Sequence, residues 1–390
     1  MNTFSRVLLF MGIGAHIAYY ISPLWGINLS PLFENVTWGQ DFFQVPNAAY
    51  AFWRGGTLLG QTPEGVNPYT DCCAINANVY HPLFTLLVGS PLSFLPPWTA
   101  FFLWRGIHAV LTIGTLAFLW KYYSNHKHVM IALSLFLLNS FHYYEVQLAQ
   151  YHFLFNFFAL LFLFELTETK NETKAGFWLF LSLLVKPIGL LWIVPLIIGK
   201  KIHTVLIASI LFLVTTIPFI MLQDGRYYFY SLISNVIRIS PNFNLIALTH
   251  FLPLPILFFR YISLFTAIGL ILLQITRRLH LVGILFLWVV FQLFFYRLVF
   301  PYHYTIIATF LAFGILSRVF FIRWVDVFLM VVLSLPPPMI YYFHLRGSPS
   351  ILPTKELSLA ALWTVFWLFL FCVRHIQFAY AQKSKRVLQA

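Results

Sequence analysis

Long apolar runs separated by short polar loops govern what this chain can fold into. They fall at 7–24, 97–120, 129–145, 152–168, 202–222, 250–275, 280–297, 303–322, 325–343 and 357–376. Each approaches the roughly 20 residues that carry a helix across a bilayer. In lipid, only helices and closed barrels satisfy their own backbone. The chain is 60% hydrophobic and 9% charged, whereas an ordinary soluble domain is about 25% charged. A water-soluble globule is therefore excluded. At roughly 20 residues per crossing, the hydrophobic share fills about ten to twelve spans. The fold class is all-α and polytopic, with residues 1–390 expected to form a single integral membrane domain.

Charge sets the expected orientation. The 24 Lys and Arg outnumber the 11 Asp and Glu, for a net charge of +13. Such a surplus can suggest nucleic acid, but here the basic residues stand singly or in pairs between apolar runs. No nucleic-acid partner is expected. Arg6, the segment 121–128, Lys170 with Lys174, Lys200-Lys201, Arg277-Arg278, Arg318 with Arg323 and the tail at 383–386 can all share one side. The positive-inside rule makes that side cytoplasmic. Both termini then lie inside, and the loops 25–96, 142–151, 223–249, 297–302 and 344–356 lie outside. The run 7–24 lacks a clear cleavage site and reads as a retained first helix. Residues 82–95 are apolar but short and bounded by prolines, so they read as interfacial or re-entrant. Pro187 should break the run 175–199 into two short helices, 175–186 and 188–199, with Lys186 at the tip. The prolines at 336–338 read as a kink.

The polar residues that could carry chemistry collect on the outer side. Asp41 stands at the membrane boundary between Trp38 and two phenylalanines. Apolar surroundings that raise a carboxylate pKa suit a general base. Asp41 also precedes a plausible helix over 42–54, where it would serve as an N-cap; both readings stand. Tyr80-His81, Gln150 with His152, Lys186, Asp224, Arg226, Arg238, Arg297 and His303 face the same compartment. An ionisable group at membrane depth is a functional candidate, and snorkelling or capping is its ordinary alternative. Lys186, placed mid-run among Leu, Val and Ile, is the strongest of these. No phosphate loop, HExxH or nucleophile elbow is present. The three cysteines exclude a disulfide framework; Cys72-Cys73 read as a vicinal disulfide, two thiols or local packing. The sequons at Asn28, Asn35 and Asn171 matter only in a glycosylating compartment.

The ordered motifs resemble the C-type glycosyltransferase superfamily, and within it glycosyltransferase family 87, the polyprenyl-phosphate-mannose-dependent mannosyltransferase-like proteins. A G-x-D-F motif and an alanine-containing helix ending in glycine read here as GQDFFQVPNAAYAFWRGG, from Gly39 to Gly56. A Tyr-x-Pro-Leu segment follows as YHPLFTLLVGSPLSFLPP, from Tyr80 to Pro97. The Gly-Gln-x-Asn-like turn is AQYHFLFN, with Ala149 replacing the glycine before Gln150. KPIGLLWIVPLIIGKK, from Lys186 to Lys201, and FPYHY around His303 complete the series.

The resemblance implies a bundle of about 11–13 transmembrane helices with a large extracytoplasmic loop at 25–96 carrying the catalytic Asp. It implies an enzyme of a bacterial plasma membrane that moves a hexose or pentose, mannose first, with inversion. The donor would be a polyprenyl-phosphate sugar and the acceptor a glycolipid or glycan. Asp41 would be the base; Lys186, His303 and Arg297 would meet the phosphate; Gln150, Tyr80 and His81 would bind sugar or phosphate. No cofactor and no divalent metal are expected, since Glu64 and Asp71 lie far from Asp41 in sequence. A lipid-linked sugar flippase would show inverted halves with matching broken helices, and the sequence shows one broken hairpin. A lipid-binding scaffold would leave the ordered polar motifs without a purpose.

Overall fold

The computed structural model describes residues 3–25, 27, 29, 39–60, 67–72, 78, 80–221, 226, 228, 243–276, 279–296, 299–320, 322–338 and 354–389. Arg297, Asp224, Arg238, Trp38, Glu64, Cys73, Asn28, Asn35 and Arg277-Arg278 lie outside the described residues, as do the side chains of Asp71 and Cys72. The described residues are helical with no strand. In chain order the helices of eight or more residues are α1 (Thr3–Ile21), α2 (Gln40–Trp53), α3 (Pro82–Ser93), α4 (Pro97–Tyr123), α5 (Val129–Leu138), α6 (Phe141–Leu148), α7 (His152–Thr167) and α8 (Glu172–Val185). They continue as α9 (Pro187–Ile198), α10 (Ile202–Ile220), α11 (Ile256–Ile275), α12 (Leu281–Phe295), α13 (Pro301–Leu316), α14 (Trp324–Ser334) and α15 (Thr354–Gln389).

Five of these are long and apolar enough to cross a membrane alone: α1, α4, α10, α11 and the 358–379 part of α15. The bent pair α5–α6 makes a sixth candidate, and α3, α7, α9, α12, α13 and α14 are shorter apolar helices. The layering follows from side-chain exposure. Leu206, Ile210, Leu213 and Ile217 form an exposed stripe on α10, and Leu257, Tyr261, Leu264 and Ile268 form another on α11. Lipid accepts such stripes, because nothing apolar needs hiding from hydrocarbon. Nearly every residue of α12 and the 305–316 part of α13 is instead buried. One contiguous apolar cluster runs through the bundle from Phe42 to Cys372.

The expected boundaries shift where prolines or polar residues intervene. The run 129–145 is two helices, α5 and α6, bent by 53° at Asn139-Ser140. Asn139 leaves the helical region, and its Oδ1 accepts the Phe141 N–H at 3.0 Å. The Ser140 N–H donates to the Ser334 carbonyl at 2.7 Å, so neighbours satisfy the opened turn, as lipid requires. The run 250–275 becomes helical only from Ile256, after Pro253 and Pro255. The run 303–322 stops at Leu316, and α14 ends at Ser334, before the prolines at 336–338 rather than being kinked by them. The break at Lys186 is as expected: its backbone is extended (φ −148°, ψ 131°), the conformation a following proline imposes.

Helix α4 sets the distance between the two ends of the bundle. Near its start, Phe101 packs against Phe43 of α2. Near its end, Tyr122 and Tyr123 share a cavity with Asn125, His126, Glu168 and Arg318. Lys201 pairs with Glu172 at 2.9 Å, next to that same 168–174 turn. From Phe101 to Tyr122 the rise is about 30 Å, the thickness of a hydrocarbon core. Several basic loops thus gather one bilayer away from α2.

Candidate active site

The site begins with a backbone requirement. Gly39 has φ +70°, and a Cβ there would stand 2.7 Å from the Phe101 ring and 2.9 Å from that of Phe43. Only glycine fits this left-handed turn, and the turn opens α2. Gly39 is the N-cap, with no side-chain cap, and Asp41 lies inside the first turn. The capping reading of Asp41 is therefore corrected. Its carboxylate accepts a hydrogen bond from the Gln150 side-chain amide. Beneath it, Phe42 is fully buried, stacks on Tyr151, and gives its carbonyl to the Tyr151 hydroxyl at 2.9 Å. Asp41 is pinned from both sides.

Gln150 is the hinge of this arrangement. Its Oε1 accepts the Tyr80 hydroxyl at 3.1 Å while its Nε2 serves Asp41, so one amide orients both groups. Gln150 is aimed by its neighbour, since Ala149 closes α6 with φ +47°, ψ 45°. That left-handed conformation costs a residue with a Cβ roughly 1–2 kcal/mol, and glycine forfeits part of the gain through chain entropy. Ala149→Gly should accordingly raise stability by about 0.5–1 kcal/mol. Thermal unfolding in one detergent checks this, and a variant less stable than the parent would show that the Ala149 methyl earns its place by packing.

Lys186, within electrostatic reach of the Asp41 carboxylate, clusters with two histidines. Lys186 Nζ lies 3.1 Å from His303 Nε2 and 4.6 Å from the centre of the Tyr302 ring. It interacts electrostatically with both Asp41 and Glu145. His303 Nδ1 accepts the Phe300 N–H at 2.9 Å. A neutral imidazole carries one proton, so the hydrogen-bond pattern places it on Nε2. That N–H and the Lys186 ammonium then meet as two donors, with the Asp41 and Glu145 carboxylates acting on the lysine electrostatically. His152 packs against His303 with ring centres 5.2 Å apart, is fully buried, and neither of its ring nitrogens makes a well-formed hydrogen bond among the described residues. An anion would satisfy all three groups.

The structure thus joins Asp41, Tyr80 and Gln150 in one chain of hydrogen bonds, with Lys186 and His303 opposite. His81 is left out: its Nε2 meets Thr216 Oγ1 at 2.9 Å and its Nδ1 caps the Leu83 N–H at 3.1 Å. Tyr302 and Glu145 were missed by sequence reasoning. Tyr302 sits in the FPYHY turn singled out only for its histidine. Glu145 had a signal, as a lone acid in an apolar stretch three residues after His142. It is fully buried, and its Oε1 accepts from Asn156 Nδ2 at 3.2 Å and Thr305 Oγ1 at 3.0 Å.

Residues 79–321 match the sequence pattern of glycosyltransferase family 87. That stretch holds Tyr80, Gln150, Lys186 and His303, while Asp41 precedes it. No curated protein sequence matches the chain.

Proposed function

The chain belongs to glycosyltransferase family 87, and from that membership we propose that this membrane-embedded transferase uses a polyprenyl-phosphate sugar as donor, with a glycolipid or glycan as acceptor. The grouping of the Lys186 ammonium, the His303 N–H and the buried His152 ring, donors that among the described residues make no hydrogen bond to a carboxylate, carries this reading. A donor phosphate supplies the missing acceptor oxygens. Its lipid tail stays in the bilayer, and its glycosyl bond is already activated.

The step we propose is a single displacement. The acceptor hydroxyl oxygen bonds to the anomeric carbon as the bond from that carbon to the phosphate oxygen breaks, giving inversion. Asp41 takes the hydroxyl proton, and polyprenyl phosphate leaves with the bonding electron pair. Lys186 and His303 offset the charge gathering on that phosphate, and the step as proposed invokes no metal ion. Gln150 holds the Asp41 carboxylate in place and Tyr80 holds Gln150. A hexose or pentose fits this scheme, and mannose is the first to test.

Purified protein in lipid nanodiscs should transfer sugar from a polyprenyl-phosphate donor, not from a nucleotide sugar, and give a product of inverted anomeric configuration. Transfer from the nucleotide sugar would sink the proposal. So would movement of the lipid-linked sugar across a vesicle bilayer without transfer, which is the flippase outcome.

We place the Asp41 end of the bundle on the extracytoplasmic face of a plasma membrane and both termini in the cytoplasm. The gathering of basic loops at the far end of α4 supports this through the positive-inside rule. In a variant lacking the three native cysteines, an impermeant thiol reagent applied to intact cells should label Arg54→Cys and spare Asn125→Cys. The opposite pattern would invert the topology.

A further inference from the structure

Beyond the transfer site, we infer that His108, His142 and Glu145 form a binding site for a divalent transition metal of the zinc class, which clamps the bent helix pair to α4. His108 comes from α4, and His142 and Glu145 from one face of α6, beyond the 53° break. One ligand atom from each lies within 4.8 Å of the others, and all three side chains are buried. Glu145 Oε2 is 2.9 Å from His142 Nδ1 and 3.8 Å from His108 Nε2. These distances bracket the roughly 3.3 Å between ligands of a tetrahedral zinc with bonds near 2.0–2.1 Å.

The surroundings hold two of the three ligands as a metal site would, while Nε2 of His142 has no hydrogen-bond partner among the described residues. Ligating imidazoles and carboxylates are held from behind by a second ring of hydrogen bonds. The Tyr20 hydroxyl meets His108 Nδ1 at 3.0 Å, turning Nε2 toward the carboxylate. Asn156 and Thr305 both occupy Glu145 Oε1, leaving Oε2 for the centre. Among the described residues His108 Nε2 has no hydrogen-bond partner, although the residue is only 3% exposed. Beside the two rings is a cavity of about 20 Å³ lined by Thr112, Asn156 and Thr309 among others. Asn156 Oδ1 and Thr309 Oγ1 also lack partners there among the described residues. That space holds about one water, the fourth ligand of a three-residue site. Two imidazoles with one carboxylate suit zinc or a neighbouring first-row metal better than calcium or magnesium.

This site shares no residue with the phosphate cluster, although Glu145 and Lys186 act on each other electrostatically, and its test does not depend on sugar transfer. Full-length protein would be purified without metal-affinity steps from zinc-supplemented cells and its metal counted by elemental mass spectrometry. About one zinc per chain is expected, falling about tenfold or more in Glu145→Gln and in His108→Gln. Cobalt substituted into the wild type should give the visible absorption of a tetrahedral ion. Chelation should lower the melting temperature of the wild type and leave that of Glu145→Gln unchanged. Should a variant fail to fold, the wild-type measurements still decide. Substoichiometric zinc together with a melting temperature indifferent to zinc and chelator would overturn the site and leave a water-bridged polar cluster. Full zinc content in either variant would also overturn it.

Discussion

Asp41→Asn should lose on the order of a hundredfold or more in sugar transfer while folding as well as the parent. Asparagine has the same shape but cannot take a proton at neutral pH. The structure removes the main structural objection to this test. Gly39, not Asp41, caps α2, so the substitution disturbs no cap. It removes one first-turn charge from the helix dipole, worth roughly 0.3–1 kcal/mol. Gln150 can rotate its amide to keep a hydrogen bond with asparagine, because an amide both donates and accepts. The measurements are initial transfer rates with a polyprenyl-phosphate donor, donor binding, and melting temperature. Transfer within a few-fold of the parent would remove Asp41 as the base and leave it as a carboxylate that orders α2.

Lys186→Met should lower transfer by about a hundred- to a thousandfold, the usual effect of deleting one preorganised partner of a developing anion. Stability should fall modestly. Lys186 is partly buried beside a histidine N–H that cannot accept its proton, but it also interacts with the Asp41 and Glu145 carboxylates, and removing one partner of a buried charge pair is destabilising. Lys186→Arg should retain part of the activity, since a guanidinium binds phosphate with a different shape. The two measurements separate the readings. A fall in melting temperature with little change in turnover would make Lys186 a structural partner of Tyr302 and His303.

Much of this was legible in the residues. The apolar runs announced helices at membrane length, and Pro187 announced the break that frees Lys186. Gly39 and Ala149 mark turns that aim Asp41 and Gln150. The runs that the sequence drew as unbroken, 129–145 and 250–275, were wrong at their polar or proline-rich ends. Hydropathy averages over a window, whereas a single Asn-Ser or Pro decides where backbone hydrogen bonding stops.

Local rules act over a few residues, and in this chain they specified the apolar helices, the break at Pro187 and the charge of each loop. The meeting of positions 41, 80, 150, 186 and 303 is a property of packing. So is the pairing of Glu145 with His108 from another helix. Periodicity tells which face of a helix is polar but not which polar face it will meet. In lipid the apolar faces are interchangeable, because hydrocarbon accepts any of them equally. Close packing and the need to pair every buried polar group therefore selected the partners, and that selection exists only in three dimensions.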